Sequence, residues 1–419
     1  MASENAAMLH EHILESMDNG VIALDFEGKI ITFNRAAAKI LGIPAETALG
    51  RYYPEVFFEL EGNDEFNDVL INVIDTRETH LYREATFLRE AAVAVPLGIN
   101  SSLLKDERGN EYGVVSVFSD LTEIKKREFL QDTLTRYVTR QVVDLILEHP
   151  ESIILDGEER EATVFFSDIR GFTTFSEKMP PRELVAMLRE YFTVMVDAVF
   201  QYQGTVDKFI GDSIMAIFGA PTPQPNHAER AVRTALEMKR LLQEFNQNRL
   251  RLGKEPIRVG VGINTGSVVV GNIGSVQRLE YTAIGDAVNL ASRLEGINKQ
   301  YGTEIIISEY TRRQLPDDVI ARELDDVRVK GKHEPVKIYE VLGALDQITP
   351  ELDAARQRFQ DGLRLYKERR WDDAIAEFQQ VLQMSPSDAP SQLYITRCQQ
   401  YRITPPPENW DGVFEMKTK

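Results

Sequence analysis

The stretch VDKFIGDSIMAIFG, Val206 to Gly219, reads as two short apolar strands joined by Gly211-Asp212. A two-residue connection of this kind marks a β-hairpin, because glycine accepts the positive φ that the tight turn needs. Val206, Phe209, Ile210, Ile214, Met215, Ile217 and Phe218 send that hairpin toward a core. Yet it keeps Lys208 and Asp212, two fixed charges, where apolar residues would fold as well. Two readings are open at this point. Gly-Asp is a common turn dipeptide and Lys208 can guard a solvated sheet edge. Alternatively, both charges are kept for chemistry, and the rest of the chain has to decide.

A chain of 419 residues is too long for one ordinary domain and implies two to four. With 43% hydrophobic and 27% charged residues it has the composition of a globular protein with several cores. The formal charge of −18 argues against nucleic acid as a partner, since phosphates draw basic surfaces. A local basic pocket for a nucleotide is compatible with it. No apolar run approaches the roughly 18–20 residues of a membrane span, so no transmembrane segment is expected. The opening MASENAAMLHEH lacks the basic and apolar regions of a secretory signal. Cys398 is the only cysteine and forms no intrachain disulfide, so a reducing, cytoplasmic location is expected.

Residues 10–121 read as a small mixed domain. VIALD and IITFN are strands joined by FEGK, and Asn34 caps the helix RAAAKILG, which stops at Gly42 before Pro44. The strands VAVPLGI and GVVSVFSD follow, split by the polar loop KDERGNE. In order and spacing, with NGVIALDFEGKIITFN at the start and VFSDLTE at the exit, the segment resembles a PAS sensor domain. Its ligand is unknown. A flavin–cysteine adduct is excluded there because Cys398 lies near the other end of the chain, and His80, the one candidate haem ligand in its middle, reads more simply as a solvated histidine. A small apolar ligand or plain dimerisation fits equally.

A helix and linker fill residues 122–159, with Leu130, Leu134, Val138, Val142 and Leu145 at helical spacing and Pro150 as the stop. Too few heptads are present to separate a parallel coiled coil from one amphipathic helix. The block 160–345 runs strand ATVFFSDI, helix PRELVAMLREYFTVMVDAVFQYQG, the hairpin, helix HAERAVRTALEMKRLLQEFNQNRL and strand IRVGVGINTG. That is the β-α-β-β-α-β order of a ferredoxin-like fold. The fold class is therefore α+β and multidomain. Residues 350–404 are helical and resemble a tetratricopeptide repeat at Gly362, Tyr366, Ala374, Phe378 and Pro386. A solenoid needs about three such repeats, so these helices are expected to dock on the rest of the chain or on a protein partner. The tail 405–419, TPPPENWDGVFEMKTK, is expected to be extended.

Chemistry-bearing residues cluster in the block 160–345. In VFFSDIRGFTTFSE an apolar strand delivers Asp168 just before a turn. Alone, Asp168 is a helix cap and Asp212 a turn residue. The first two strands of the fold are expected to lie side by side, so that both carboxylates reach one point, where a cation relieves their repulsion. Mg²⁺ suits one or two carboxylates completed by waters and phosphate oxygens. In LEYTAIGDAVNLASRLEGIN, Ala287, Leu290, Ala291 and Leu294 form an apolar helix face while Asn289 and Arg293 share another. That pair is either a solvated surface or a grip for a sugar and a phosphoryl group. Lys330 and Lys332 flank Gly331 in a basic turn. The glycines of GVGINTG and GNIGS are not a P-loop, since no Gly-Lys-Ser/Thr follows.

Together FFSDIRGFT, KFIGDSIMAIFG and GDAVNLASRLE resemble the catalytic domain of class III nucleotide cyclases. The resemblance implies a head-to-tail homodimer with two equivalent sites, each holding two Mg²⁺ or Mn²⁺ ions. It implies that Asp168, Asp212 and the Ile169 carbonyl bind metal, and that backbone amides at Gly171, Phe172 and Thr173 line the triphosphate. Lys208 and Thr282 would recognise adenine, Asn289 would orient the ribose, Arg293 would stabilise charge on the α-phosphate, and Lys330 would bind the distal phosphates. Thr282, where many adenylate cyclases carry Asp, is similar to class IIIb; guanylate cyclases typically carry Glu at the position of Lys208. The expected activity is adenylate cyclase, ATP to 3′,5′-cyclic AMP and pyrophosphate, regulated by the PAS domain. The alternatives are a guanylate or relaxed-specificity cyclase and a catalytically silent signalling scaffold.

Overall fold

The computed structural model describes residues 8–9, 12–77, 80–89, 93–106, 108–134, 139, 142–144, 157–275, 277–328 and 334–415. The chain divides into two compact units, Met1–Tyr137 and Val138–Lys419.

In the first unit β1 (Gly20–Asp25) and β2 (Ile30–Phe33) form a hairpin, followed by α1 (Arg35–Leu41), α2 (Ala45–Ala48), α3 (Tyr53–Phe57) and α4 (Asp64–Thr76). The long strands β3 (His80–Arg89), β4 (Val93–Lys105) and β5 (Glu111–Asp120) complete an antiparallel sheet in the order β2-β1-β5-β4-β3. Asn34 does what its position predicts: its side-chain oxygen accepts from the amides of Ala37 and Val21, both at 2.9 Å, tying the helix start to the first strand. Gly42 ends α1 with φ 72°, and its amide returns to Ala38. Phe57, Phe66, Phe87 and Phe118 are fully buried against Ile22, Leu24 and Leu97. The chain leaves through α5 (Thr122–Leu134), whose first turn is capped by Asp120 at 2.8 Å and on which Ile124, Phe129 and Leu130 are exposed. The remainder of the helix expected before Pro150, Val138 and Leu145 included, falls largely outside the described residues.

The second unit opens with β6 (Glu158–Ile169), then α6 (Phe172–Glu177), α7 (Pro181–Gln201), β7 (Thr205–Ile210), β8 (Ser213–Phe218), α8 (His227–Arg251) and β9 (Val259–Ser275). The hairpin forms as read, with Ile210 paired to Ser213 and Gly211 at φ 66° in the turn. Sheet order is β9-β6-β8-β7, the interleaved order of a ferredoxin-like fold. This corrects the expected adjacency of the first two strands. The α6–α7 crossover carries the chain past the slot that β8 later fills, so β6 pairs with β8 and β9 while β7 lies outside β8. Asp212 still reaches Asp168, because it opens β8 as well as closing β7. Helices α7 and α8 cover one face over Phe165, Tyr191, Met195, Ala216, Val232 and Ile263.

Strand β9 runs on unbroken past the expected IRVGVGINTG to Ser275, and β10 (Arg278–Ile284) folds back on its second half. Then come α9 (Asp286–Tyr301), β11 (Ile305–Ser308), α10 (Glu309–Arg312), β12 (Val319–Arg328) and β13 (Val336–Ala344). Helix α9 lies on the other sheet face with Leu290, Leu294 and Ile297 fully buried. The C-terminal helices α11 (Pro350–Lys367), α12 (Trp371–Met384) and α13 (Ala389–Ile403) pack beside it. Phe359, Leu363, Phe378 and Tyr394 share one core with Leu324, Val327 and Ile338 of β12 and β13. Buried polar contacts reinforce that seam. Asp325 accepts from Arg397 at 2.7 Å and from the Tyr301 hydroxyl at 2.5 Å, and Arg322 bonds Glu340 at 2.7 Å and Asp388 at 2.6 Å. The tail adds Trp410 against Tyr366 and a two-residue strand β14 (Phe414–Glu415) parallel to β12.

Candidate functional site

The first cluster stands where β6 and β8 end together. Ser167 pairs with Ile214, which sets Asp168 beside Ser213. The Ser213 hydroxyl donates to Asp168 Oδ1 at 2.5 Å, and the Ile169 amide donates to Asp212 Oδ2 at 3.2 Å. The carboxyl of Asp212 is pushed up to about 6, first by burial and then by the negative charge of Asp168. Glu295 of α9 faces the same pair: burial and then Asp168 push it up to about 7, with the Arg170 guanidinium opposing. Two adjacent half-buried carboxylates, with the Asp168 charge raising the cost of ionising Asp212, suit a hard cation, and a backbone carbonyl at Ile169 keeps the donor set all oxygen. Among the described residues no cluster of three or more His, Cys, Asp or Glu side chains could hold a metal by itself. The fit is therefore to ions completed by water or substrate oxygens.

Gly171, at φ 67°, leads into α6, and Phe172 and Thr173 form its first turn, whose amides have no intrahelical acceptors.

The second cluster joins β7 to β10. The Lys208 ammonium bonds Glu280 and lies 3.5 Å from Asp207 Oδ1. The Thr282 hydroxyl donates to Asp207 Oδ2. Lys208 and Thr282, distant in sequence, are thus brought to one carboxylate. Burial pushes the Asp207 carboxyl up, with Thr282 and the Lys208 charge pulling it back. Lys208 is held in its charged form, burial being outweighed by Glu280 and Asp207.

Asn289 and Arg293 share a face of α9, the first exposed and the second half-buried. Lys330 and Lys332 lie outside the described residues. The sequence reading missed Ser213, Asp207, Glu280 and Glu295. Ser213 and Asp207 sit inside the quoted hairpin, next to residues that were singled out. Glu295 carried no sequence signal, because an acid on a helix beside a basic residue reads as solvated surface.

Residues 156–343 match the model of the adenylate and guanylate cyclase catalytic domain, and residues 9–121 match the PAS fold. The chain therefore carries a PAS domain followed by a catalytic domain of the adenylate and guanylate cyclase family. Its relatives include adenylate cyclase 1 of Rhizobium meliloti (strain 1021), 41% identical over 213 residues, covering 51% of this chain and 32% of that one. The terminal-differentiation specific adenylate cyclase of Dictyostelium discoideum is 35% identical over 284 residues, covering 66% of this chain and 13% of that protein. The chain thus spans a third or less of these relatives' length. Among solved structures, the adenylyl cyclase CyaB from P. aeruginosa is 37% identical, covering 46% of this chain and 100% of that one, with a TM-score of 0.43. No described helix is long and apolar enough to cross a membrane.

Proposed function

We propose that this protein is an adenylate cyclase, forming 3′,5′-cyclic AMP and pyrophosphate from ATP at the interface of a homodimer. The observation that carries it is the convergence of Lys208 of β7 and Thr282 of β10 on the Asp207 carboxylate, in a unit whose β6–β8 end also presents Asp168 and Asp212. An ammonium offers only donors and a hydroxyl can accept. Side by side they complement the ring nitrogen and the exocyclic amine of adenine. Asp168 and Asp212, with the Ile169 carbonyl, would hold two Mg²⁺ or Mn²⁺ ions. When bound, these lower the pKa of the ribose 3′-hydroxyl and offset the charge of triphosphate and pyrophosphate.

The chain's own residues then position and stabilise. Asn289 orients the ribose, Arg293 takes up charge on the α-phosphate, the amides at Gly171, Phe172 and Thr173 line the phosphates, and Lys330 holds the distal ones. In this reading the domains are a PAS sensor at 10–121, a connecting helix and linker at 122–159, the catalytic domain at 160–345 and C-terminal helices at 350–404. The exposed apolar residues of α5 supply a surface through which a PAS signal sets how two catalytic domains meet. The C-terminal helices spend their apolar faces on the catalytic unit itself, which supports docking within the chain over a separate partner.

The test is incubation of the purified protein with ATP or GTP, each with Mg²⁺ and Mn²⁺, and quantification of both cyclic nucleotides. Cyclic AMP with little cyclic GMP is the expected result. Preferential cyclic GMP would reverse the assignment of the base, and no product from residues 138–419 either, which keep the C-terminal helices on the catalytic unit, would leave the scaffold reading.

A further inference from the structure

The register of the β7–β8 hairpin slips at one place. Val206 pairs with Ala216 and Lys208 with Met215, so Asp207 is the extra residue of a β-bulge. In a regular strand, neighbours 207 and 208 would point to opposite faces. A bulge re-aims side chains, and here Asp207 Oδ1 comes within 3.5 Å of Lys208 Nζ. The Asp207 side chain is fully buried. Oδ2 takes the proton of Thr282, while Oδ1 has no hydrogen-bond partner among the described residues. A buried acid is costly unless its contacts are used. Its contacts are with Thr282, Lys208 and the Ala283 amide, none of them in the metal cluster.

The use follows from hydrogen-bond inventory. A threonine hydroxyl has one proton and two lone pairs. With its proton committed to Asp207, Thr282 Oγ1 can only accept; with that proton free, it can rotate to donate. An acceptor beside a fixed donor matches adenine, whose 6-amino group donates and whose N1 accepts. The same pair opposes guanine, whose 6-keto oxygen accepts and whose N1 carries hydrogen. We propose that Asp207 is the positioning residue that sets base selectivity, polarising Thr282 as an acceptor through the Thr282–Asp207 hydrogen bond while lying beside Lys208. The inference rests on the adenylate cyclase reading and names the residue by which that site rejects GTP.

The test is kcat/KM for ATP and for GTP in wild type, Asp207→Asn, Thr282→Val and the double variant. An Asn at 207 can donate to Thr282 Oγ1 and free its proton for a 6-keto group. Asp207→Asn should lower the ATP-over-GTP ratio at least about tenfold. In the Thr282→Val background the same change should move the ratio less than about twofold, as a shared interaction requires. Loss of both activities by one factor, or an undiminished effect in that background, would overturn the role of Asp207 alone. Wild type with equal turnover of ATP and GTP would overturn the adenylate reading along with it. A measurement on the unaltered chain guards against a variant that fails to fold. Inosine triphosphate, with the 6-keto group but no 2-amino group, should be as poor a substrate as GTP, and turnover near that of ATP would refute the proposal.

Discussion

Gly262 of β9 lies so close beneath Glu295 of α9 that a Cβ at 262 would stand 2.1 Å from the Glu295 amide nitrogen. It would also stand 2.5 Å from the carbonyl oxygen of Ala291. Both are backbone atoms, so no rotamer change relieves the clash. The absence of a side chain at 262 therefore sets the height of α9 above the sheet, and with it the positions of Asn289 and Arg293.

Gly262→Ala should act on activity more than on folding. Overpacking of this kind costs about 1–3 kcal/mol, which the unit's large core can bear. Displacing α9 by even about 1 Å should reduce turnover on the order of 10²-fold. Cyclic AMP formation and thermal melting, measured together, check this. A lowered melting temperature with full kcat would show that α9 height does not matter to the chemistry.

Asp212→Asn keeps the shape of the turn and the acceptor for the Ile169 amide, but removes the carboxylate whose pKa burial and the Asp168 charge push up. Turnover should fall by on the order of 10² or more through loss of a metal ligand. Added Mg²⁺ or Mn²⁺ should raise the melting temperature of wild type and leave that of the variant nearly unmoved. A full metal-dependent shift in the variant would place the ions elsewhere.

The hairpin was legible because Gly211-Asp212 and its apolar flanks are local signals, and so was the β-α-β-β-α-β order. Which strands touch was not, since spatial order depends on a crossover that sequence order does not record. Asp207 escaped because period-two alternation assigns it to the face away from Lys208, and only the register slip reverses that. In the C-terminal helices, Tyr366, Ala374 and Phe378 announced a buried face but not what covers it. That required the facing side chains of β12 and β13, which precede the helices in the chain but whose packing on them no local periodicity records.

The seam between those helices and the catalytic unit has a polar centre that can be cut. Arg397, Asp325 and Tyr301 are all buried, so Arg397→Ala strands the Asp325 carboxylate in the core. Breaking one side of such a pair costs about 3–5 kcal/mol. Chemical denaturation should show that loss. Asp325→Leu combined with Arg397→Met should recover most of it, because no charge is then left unpaired. Equal instability of the single and double variants would mean that the ion pair itself, rather than avoidance of a stranded charge, holds the seam.

His227 gives the unit a pH dependence whose sign can be worked out. It is 8% exposed, with Nδ1 2.8 Å from the Thr163 hydroxyl and Nε2 3.9 Å from Glu161. Burial lowers its pKa below the ordinary value of 6.5, with Glu161 opposing. Above that value the imidazole is neutral in both folded and unfolded chains and the two bind equal numbers of protons. As pH falls through it, the unfolded chain takes up a proton that the folded one resists, so His227 contributes a loss of stability on acidification. His227→Gln cannot titrate. Its destabilisation relative to wild type should be greatest near about pH 8 and should shrink toward about pH 5.5, as wild type loses ground. Denaturation midpoints of the two proteins across that range make the comparison. Parallel curves would show that the His227 proton affinity is the same folded and unfolded.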